Sequence, residues 1–199
     1  MKYLWIGVFA AVFIWSGIEP KDRFTWFLEV VPAIAGALLL AVTYRSFRFT
    51  PLLYYLILVH CLILMVGGHY TYAEVPLFDS FKTIFGFTRN NYDKVGHFAQ
   101  GFVPAMIARE LLIRKQVVNG RGWLNFFVVS FCLGLSAFYE LIEWWVAAAT
   151  GEGAEAFLGT QGYVWDTQSD MALALFGAVA ALVVLAGWHD RQLRNVVKI

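Results

Sequence analysis

The side chains of this chain that could do chemistry lie at or within the ends of very apolar segments. They form four groups: His69, Asp93 with His97, Glu140 with Glu143, and Asp166 with Asp170. An ionisable group in hydrocarbon is costly unless it is paired, bound to a metal or wetted by a cavity. Four such groups in apolar sequence therefore predict a functional site inside a membrane.

The spacing within the last three groups is three or four residues, which puts both members of each group on one face of a helix. Carboxylates that share a cleft repel each other unless some of them hold protons or a cation lies among them. Helical bundles build metal sites from imidazole and carboxylate ligands on facing helices, and these ligands suit Zn, Mn or Fe. The groups therefore predict a divalent cation.

We expect zinc as the cation. The expected metal ligands are His69, His97, Glu140, Asp166 and Asp170. Glu143 and Asp93 are the expected catalytic carboxylates, with Glu143 moving the proton of a metal-bound water. The spacing matches no stereotyped metal motif such as H-E-x-x-H, so this prediction depends on ligand chemistry alone.

Several of these residues also have a structural interpretation. Asp93 and Asp166 could be helix N-caps, where Asp is favoured, and Asp93 could pair with Arg89 or Lys94 at the surface. His69 follows two glycines at a helix end and could lie at the membrane interface without a role in chemistry. Glu140 resists such interpretations, because no residue of its own helix nearby is basic.

The composition is that of an integral membrane protein. The chain is 60% hydrophobic and 15% charged, with a mean hydropathy of +0.63, against about 45–50% apolar and about 25% charged residues in soluble domains. Its 199 residues predict a single integral membrane domain over 1–199. The lipid bilayer is the expected partner, and a net charge of +1 without a basic run gives no indication of nucleic-acid binding.

We predict an all-α fold, a polytopic bundle of about six transmembrane helices. A helix needs about 20 residues to cross the bilayer, and backbone polar groups in lipid must bond within the segment. Apolar runs of about this length lie at 3–18, 25–43, 51–68, 94–113, 124–148 and 170–188.

Positive charge predicts the orientation of these spans. With the N-terminus in the cytoplasm, ten of the 15 Lys and Arg residues fall on the cytoplasmic side and five outside, as the positive-inside rule requires. We therefore predict a multi-pass membrane protein with both termini in the cytoplasm. All four groups then lie in the extracytoplasmic half, while His189 and Asp190 lie at the cytoplasmic exit, where we expect them to be solvated. The aromatic segment 70–92 is expected to lie at the interface or re-enter the membrane over the site.

The sequence around these groups resembles the YjdF-type bacterial inner-membrane proteins. The resemblance covers nearly the whole chain and implies an inner-membrane location, about six spans and little chemistry. It depends on His69-Tyr70, Tyr92-Asp93-Lys94-Val95-Gly96-His97-Phe98, Tyr139-Glu140-Leu141-Ile142-Glu143-Trp144 and Trp165-Asp166-Thr167-Gln168-Ser169-Asp170-Met171.

A looser pattern is similar to VanZ-like membrane proteins, which are associated with glycopeptide resistance. The similarity is one of order and spacing, and Gln168 stands where that family would place a second basic residue. The matching positions are Asp93, Lys94, His97, Glu140 and Asp170.

Three functions remain open from the sequence. The first is a metal-dependent hydrolase or transferase acting at the outer leaflet on a lipid or lipid-linked envelope substrate. The second is a proton-coupled transporter, against which stand the lack of an internal repeat and a site at one face rather than at the midplane. The third is a structural or partner-binding membrane protein, in which the polar groups join helices.

Overall fold

The computed structural model describes residues 2–150, 155–158 and 160–196. Within these residues the secondary structure is entirely helical, so the all-α prediction is confirmed. The helices are α1 (Lys2–Gly17), α2 (Arg23–Thr43), α3 (Pro51–Tyr70), α4 (Pro76–Phe85), α5 (Tyr92–Arg114), α6 (Arg121–Thr150), α7 (Glu155–Leu158) and α8 (Asp166–Val196).

Four of these helices, α2, α3, α6 and α8, are long and apolar enough to cross a membrane. The helix α1 is apolar but has only 16 residues. The helix α5 has 23 residues and is more polar, because Asp93, Lys94, Arg109, Glu110 and Arg114 lie within it. Each predicted span coincides with a helix, but length and composition alone qualify four of the described helices as crossings, so the prediction of six is not confirmed.

Local sequence explains several helix ends. The Asp22 carboxylate accepts a 2.6 Å hydrogen bond from the Thr25 amide, which is the N-cap arrangement that begins α2. This bond lowers the pKa of Asp22 below its ordinary value. Pro51 and Pro76 occupy the first turns of α3 and α4, where a missing amide hydrogen costs nothing.

The helix α5 occupies the interior of the bundle, in contact with α3, α6 and α8. Twelve of its residues are buried, including both charged and apolar side chains. This position explains its polarity, since charged side chains in a membrane protein face the bundle interior rather than lipid.

The closest approach in the bundle is between α5 and α8. A Cβ atom on Gly101 would overlap the Ala174 carbonyl, and one on Gly177 would overlap the Phe98 carbonyl. Small residues at helix interfaces allow backbones to approach in this way. Ala174, Ala178 and Ala181 are fully buried in the same stretch of α8.

A buried polar network joins α3, α5 and α8 at the end of the bundle opposite the groups singled out above. The Glu110 carboxylate accepts hydrogen bonds from the Thr50 hydroxyl at 2.8 Å and from Arg114 at 2.7 Å, and it contacts Nε2 of His189 at 2.9 Å. Arg109 lies 2.8 Å from Nδ1 of His189. Because a guanidinium can only donate, Nδ1 accepts and Nε2 carries the hydrogen that Glu110 accepts.

His189 is therefore fully buried, and the prediction that it is solvated is wrong. That prediction uses only the position of His189 along its span, and this position gives no information about a buried carboxylate on a neighbouring helix. Asp190 next to it keeps 44% of its side-chain surface exposed while binding Arg109.

The glycines at the α5–α8 contact provide a stability test. We expect Gly101→Ala and Gly177→Ala each to destabilise the protein by about 3 kcal/mol, at the upper end of overpacking costs, because backbone atoms cannot move aside. Gly134→Ala is the matched control, since its Cβ would meet nothing within 4 Å and Ala is favoured over Gly in a helix by about 1 kcal/mol. Thermal unfolding in detergent measures all three. Equal melting temperatures for the three variants would contradict the close approach.

Candidate functional site

Three helices bring ionisable side chains to one end of the bundle. The first two turns of α5 carry Asp93 and His97, and the first two turns of α8 carry Asp166 and Asp170. These four side chains are buried. The close contact of α5 with α8 brings the two pairs together. The helix α6 adds Glu140 and Glu143, which are also buried.

The imidazole of His97 lies at the centre of this group. Its Nε2 atom is 3.2 Å from Oδ1 of Asp93 and 3.8 Å from Oδ2 of Asp170. Its Nδ1 atom is 3.1 Å from Oε1 of Gln100. Since the Gln100 carbonyl oxygen can only accept, Nδ1 carries a hydrogen and Nε2 faces the two aspartates.

Asp93, His97 and Asp170 form a group that could hold a metal ion, because one donor atom from each lies within 4.8 Å of the other two. A tetrahedral zinc with bonds of about 2.0–2.2 Å separates its ligand atoms by about 3.4 Å. The two His97–aspartate distances, 3.2 and 3.8 Å, lie on either side of that value. A metal-bound histidine also commonly donates its other ring N–H to an oxygen, as His97 does to Gln100.

Two carboxylate oxygens beside His97 have no hydrogen-bond partner among the residues that the structure describes. They are Oε1 of Glu140 and Oδ1 of Asp170. The Glu140 oxygen lies 3.9 Å from Nδ1 of His97, on the side of the ring away from the two aspartates. A buried oxygen without a partner is unfavourable, so a proton, a water or a cation is needed here.

Arg89 supplies positive charge at this end of the bundle. Its guanidinium binds Asp166 and contacts Asp93 at 3.4 Å, and all three side chains are nearly enclosed. Asp166 is therefore paired with an arginine rather than grouped with Asp170, and it lies outside the three-residue group. Asp93 contacts Arg89, as one of the structural alternatives predicts, but the pair is buried rather than at the surface.

Glu143 has no ion pair or hydrogen bond among the described contacts of the group, but it interacts electrostatically with Glu140, His97 and Glu29. Glu143 therefore lies near the residues that could bind a metal but does not contact them, and a residue in this position could carry a proton. Asp93, the other expected catalytic carboxylate, is instead a member of the three-residue group.

His69 is not brought into the group. Its Nδ1 atom lies 3.0 Å from the Ser16 carbonyl, and its ring packs at 4.5 Å from that of Trp15. It therefore joins α3 to α1 through the Ser16 carbonyl and the Trp15 ring.

Glu29 is a buried carboxylate that sequence reasoning missed. Its side chain accepts a 3.3 Å hydrogen bond from the Tyr139 hydroxyl. Its carboxylate also interacts electrostatically with the side chains of Asp93 and His97. The signal was present in the sequence, because Glu29 is the only acidic residue in the apolar run 25–43. With Glu29, the site collects six buried carboxylates around one histidine and one arginine.

The comparisons with known proteins agree with a membrane protein. The chain matches the family described as "Predicted membrane protein (DUF2238)" over residues 1–191. It is also 53% identical over 184 residues to "Inner membrane protein YjdF" of Escherichia coli (strain K12), which covers 92% of this chain and 88% of the relative. The chain belongs to the DUF2238 family of membrane proteins. No solved structure matches it.

Family membership confirms the YjdF-type resemblance. The name of the relative states a location and no activity, so the chemistry of this DUF2238 protein has to be argued from its own residues. The similarity to VanZ-like proteins stays a prediction.

Arg89 provides a test of the charge balance at the site. We expect Arg89→Gln to destabilise the protein by about 3 kcal/mol, because breaking a buried pair leaves uncompensated charge. Asp166→Asn added to Arg89→Gln should restore part of that loss. Arg121→Gln, which changes an exposed arginine, is the matched control and should change stability by less than about 0.5 kcal/mol. Unfolding free energies in detergent give the comparison, and equal losses from Arg89→Gln and Arg121→Gln would contradict a buried pair.

Proposed function

We propose that this protein binds a divalent cation, zinc in the first instance, through Asp93, His97 and Asp170. We propose further that it uses the cation as a hydrolase or transferase on a lipid or lipid-linked envelope substrate. One observation carries the proposal: Nε2 of His97 faces two aspartate oxygens at 3.2 and 3.8 Å while Nδ1 faces Gln100. Three protein ligands would leave a fourth position for water, as catalytic zinc sites do.

The charge of the site supports a cation. Six buried carboxylates face one buried arginine and one histidine, so the group carries excess negative charge unless protons or a metal ion are bound. A divalent cation keeps carboxylates ionised where burial would otherwise favour their protonation. The unpartnered oxygens of Glu140 and Asp170 point to the same need.

The proposed chemistry is metal-assisted attack by water or by an acceptor hydroxyl. A Zn²⁺ held by Asp93, His97 and Asp170 would lower the pKa of its water to about 7 and would polarise an ester or phosphoryl oxygen. The water oxygen would bond to the reacting carbon or phosphorus, and its proton would pass to Glu143 or Glu140. The same proton would then go to the leaving oxygen as its bond breaks.

We also propose the finer topology: one membrane domain over 1–199, with six crossings and both termini in the cytoplasm. The division of Lys and Arg into ten and five supports this orientation. The enclosed position of α5 supports its crossing, since its polar residues avoid lipid. The site would then lie in the extracytoplasmic half.

A structural role is the second candidate, and the ion pairs of Arg89 favour it. Arg89 binds carboxylates from both α5 and α8, so the site joins these helices whether or not it holds a metal. In that case a proton on Nε2 of His97 would take the position assigned to the cation.

Metal content distinguishes the two candidates. We expect about one zinc per chain in the wild-type protein purified without chelator, and at least a tenfold loss in His97→Ala and Asp170→Asn. Glu143→Gln should keep its metal, because we assign it proton transfer rather than ligation. Elemental analysis of detergent-purified protein makes the measurement.

Glu74→Gln is the control, because it also converts a carboxylate to an amide but acts on an exposed residue paired with Lys21. A folded wild-type protein with sub-stoichiometric metal, unaffected by His97→Ala, would favour the structural role.

Reporter fusions test the orientation. We expect a fusion after Thr150 to report the extracytoplasmic side and a fusion at the C-terminus to report the cytoplasm, because α8 lies between them and is long enough to cross. Signals from the same side would remove the argument that the site lies in the outer half.

A further inference from the structure

The helices α1 and α2 enclose a groove at the end of the bundle opposite the metal-site residues. They meet at their connecting turn, where the Trp26 indole donates to the Ser16 hydroxyl at 3.1 Å, and they separate toward Lys2 and Thr43. The floor is α3, held to α1 by a 2.8 Å hydrogen bond from the Trp5 indole to the Tyr54 carbonyl. The groove has a volume of about 630 Å³, within the 300–1,000 Å³ typical of ligand pockets.

The walls of the groove are apolar. They include Ile6, Phe9 and Ala10 from α1, and Ala37 and Leu40 from α2. From Lys2 to Ala10 the groove extends about 12 Å along α1 at 1.5 Å per residue. This depth is close to the roughly 15 Å that one leaflet contributes to a hydrocarbon core of about 30 Å.

The mouth of the groove is positively charged. Lys2, Arg45 and Arg48 line it together with Tyr44, and the Lys2 ammonium and the Arg48 guanidinium each lie 5.3 Å from the centre of the Tyr44 ring. All three cations are exposed. Within the described residues none of them pairs with a carboxylate, so their charge is available to a ligand.

We infer that this groove is a binding site for an anionic phospholipid. One acyl chain would lie between α1 and α2, and the phosphate would contact Lys2, Arg45 and Arg48. Basic pockets between membrane helices bind anionic headgroups, and here the apolar depth matches one leaflet. A second copy of the chain is a poorer occupant, because a symmetric contact at this face would bring the three cations of both copies together.

Lipid binding to the purified full-length protein tests the inference. The probes are phosphatidylglycerol and phosphatidylcholine with identical acyl chains, and native mass spectrometry measures the lipid retained. We expect phosphatidylglycerol to bind at least tenfold more tightly. One Lys or Arg near an anionic surface accounts for about fivefold in affinity, so Arg45→Gln with Arg48→Gln should weaken phosphatidylglycerol about 25-fold and leave phosphatidylcholine unchanged.

Arg191→Gln with Arg194→Gln is the matched control for charge, because both arginines are exposed and lie on α8 outside the groove. We expect it to change binding by less than twofold. Ala37→Phe should fill the groove and weaken both lipids. Its control, Ala35→Phe, changes an exposed position of α2 outside the groove and should weaken neither lipid.

Three results would overturn the inference. The first is equal affinity for the two lipids, and the second is equal loss in the groove and control arginine pairs. The third is a dimer that dissociates on Ala37→Phe, which would assign the groove to a second copy. Melting temperatures without added lipid verify folding. Should Arg45→Gln with Arg48→Gln not fold, Lys2→Gln with Arg45→Gln gives the same comparison.

Discussion

The contact between α5 and α8 is the interaction on which the other features of this structure depend. Gly101 and Gly177 let the two backbones approach so closely that a single methyl group would overlap a carbonyl. This approach brings the first turns of both helices together, and those turns carry the two aspartates that face Nε2 of His97. A wider separation would take Asp166 away from Arg89 and Asp170 away from His97, and a buried carboxylate without a partner is costly.

The bundle buries charge at both ends, but it satisfies the two groups differently. Glu110 is bonded by Thr50, Arg114 and His189, so its carboxylate has the partners that a structural role requires. At the other end, oxygens of Glu140 and Asp170 lack partners. The carboxylate of Glu110 is satisfied by the protein alone, whereas the oxygens of Glu140 and Asp170 need a proton, a water or a cation. This difference supports our proposal that the cation binds at only one end.

The proposed lipid groove and the proposed metal site lie at opposite ends of the bundle and suit ligands of opposite charge. In the groove, cations remain exposed beside an apolar cleft, which suits an anionic amphiphile. In the site, carboxylates are enclosed among helices, which suits a small cation. The two proposals therefore differ in the sign of the charge that each end presents and in how far that charge is enclosed.

Composition alone determined that this is a helical membrane protein, because hydrocarbon admits only segments that satisfy their own backbone. The i,i+4 spacing also determined that Asp93 and His97 share a face. The sequence alone could not determine which faces of different helices contact each other. Contacts between helices placed His69 beside Trp15 and paired Asp166 with Arg89. They also buried His189 against Glu110 and added Glu29 to the site. Helical periodicity fixes neighbours within one helix, whereas packing between helices decides which charges share a low-dielectric interior.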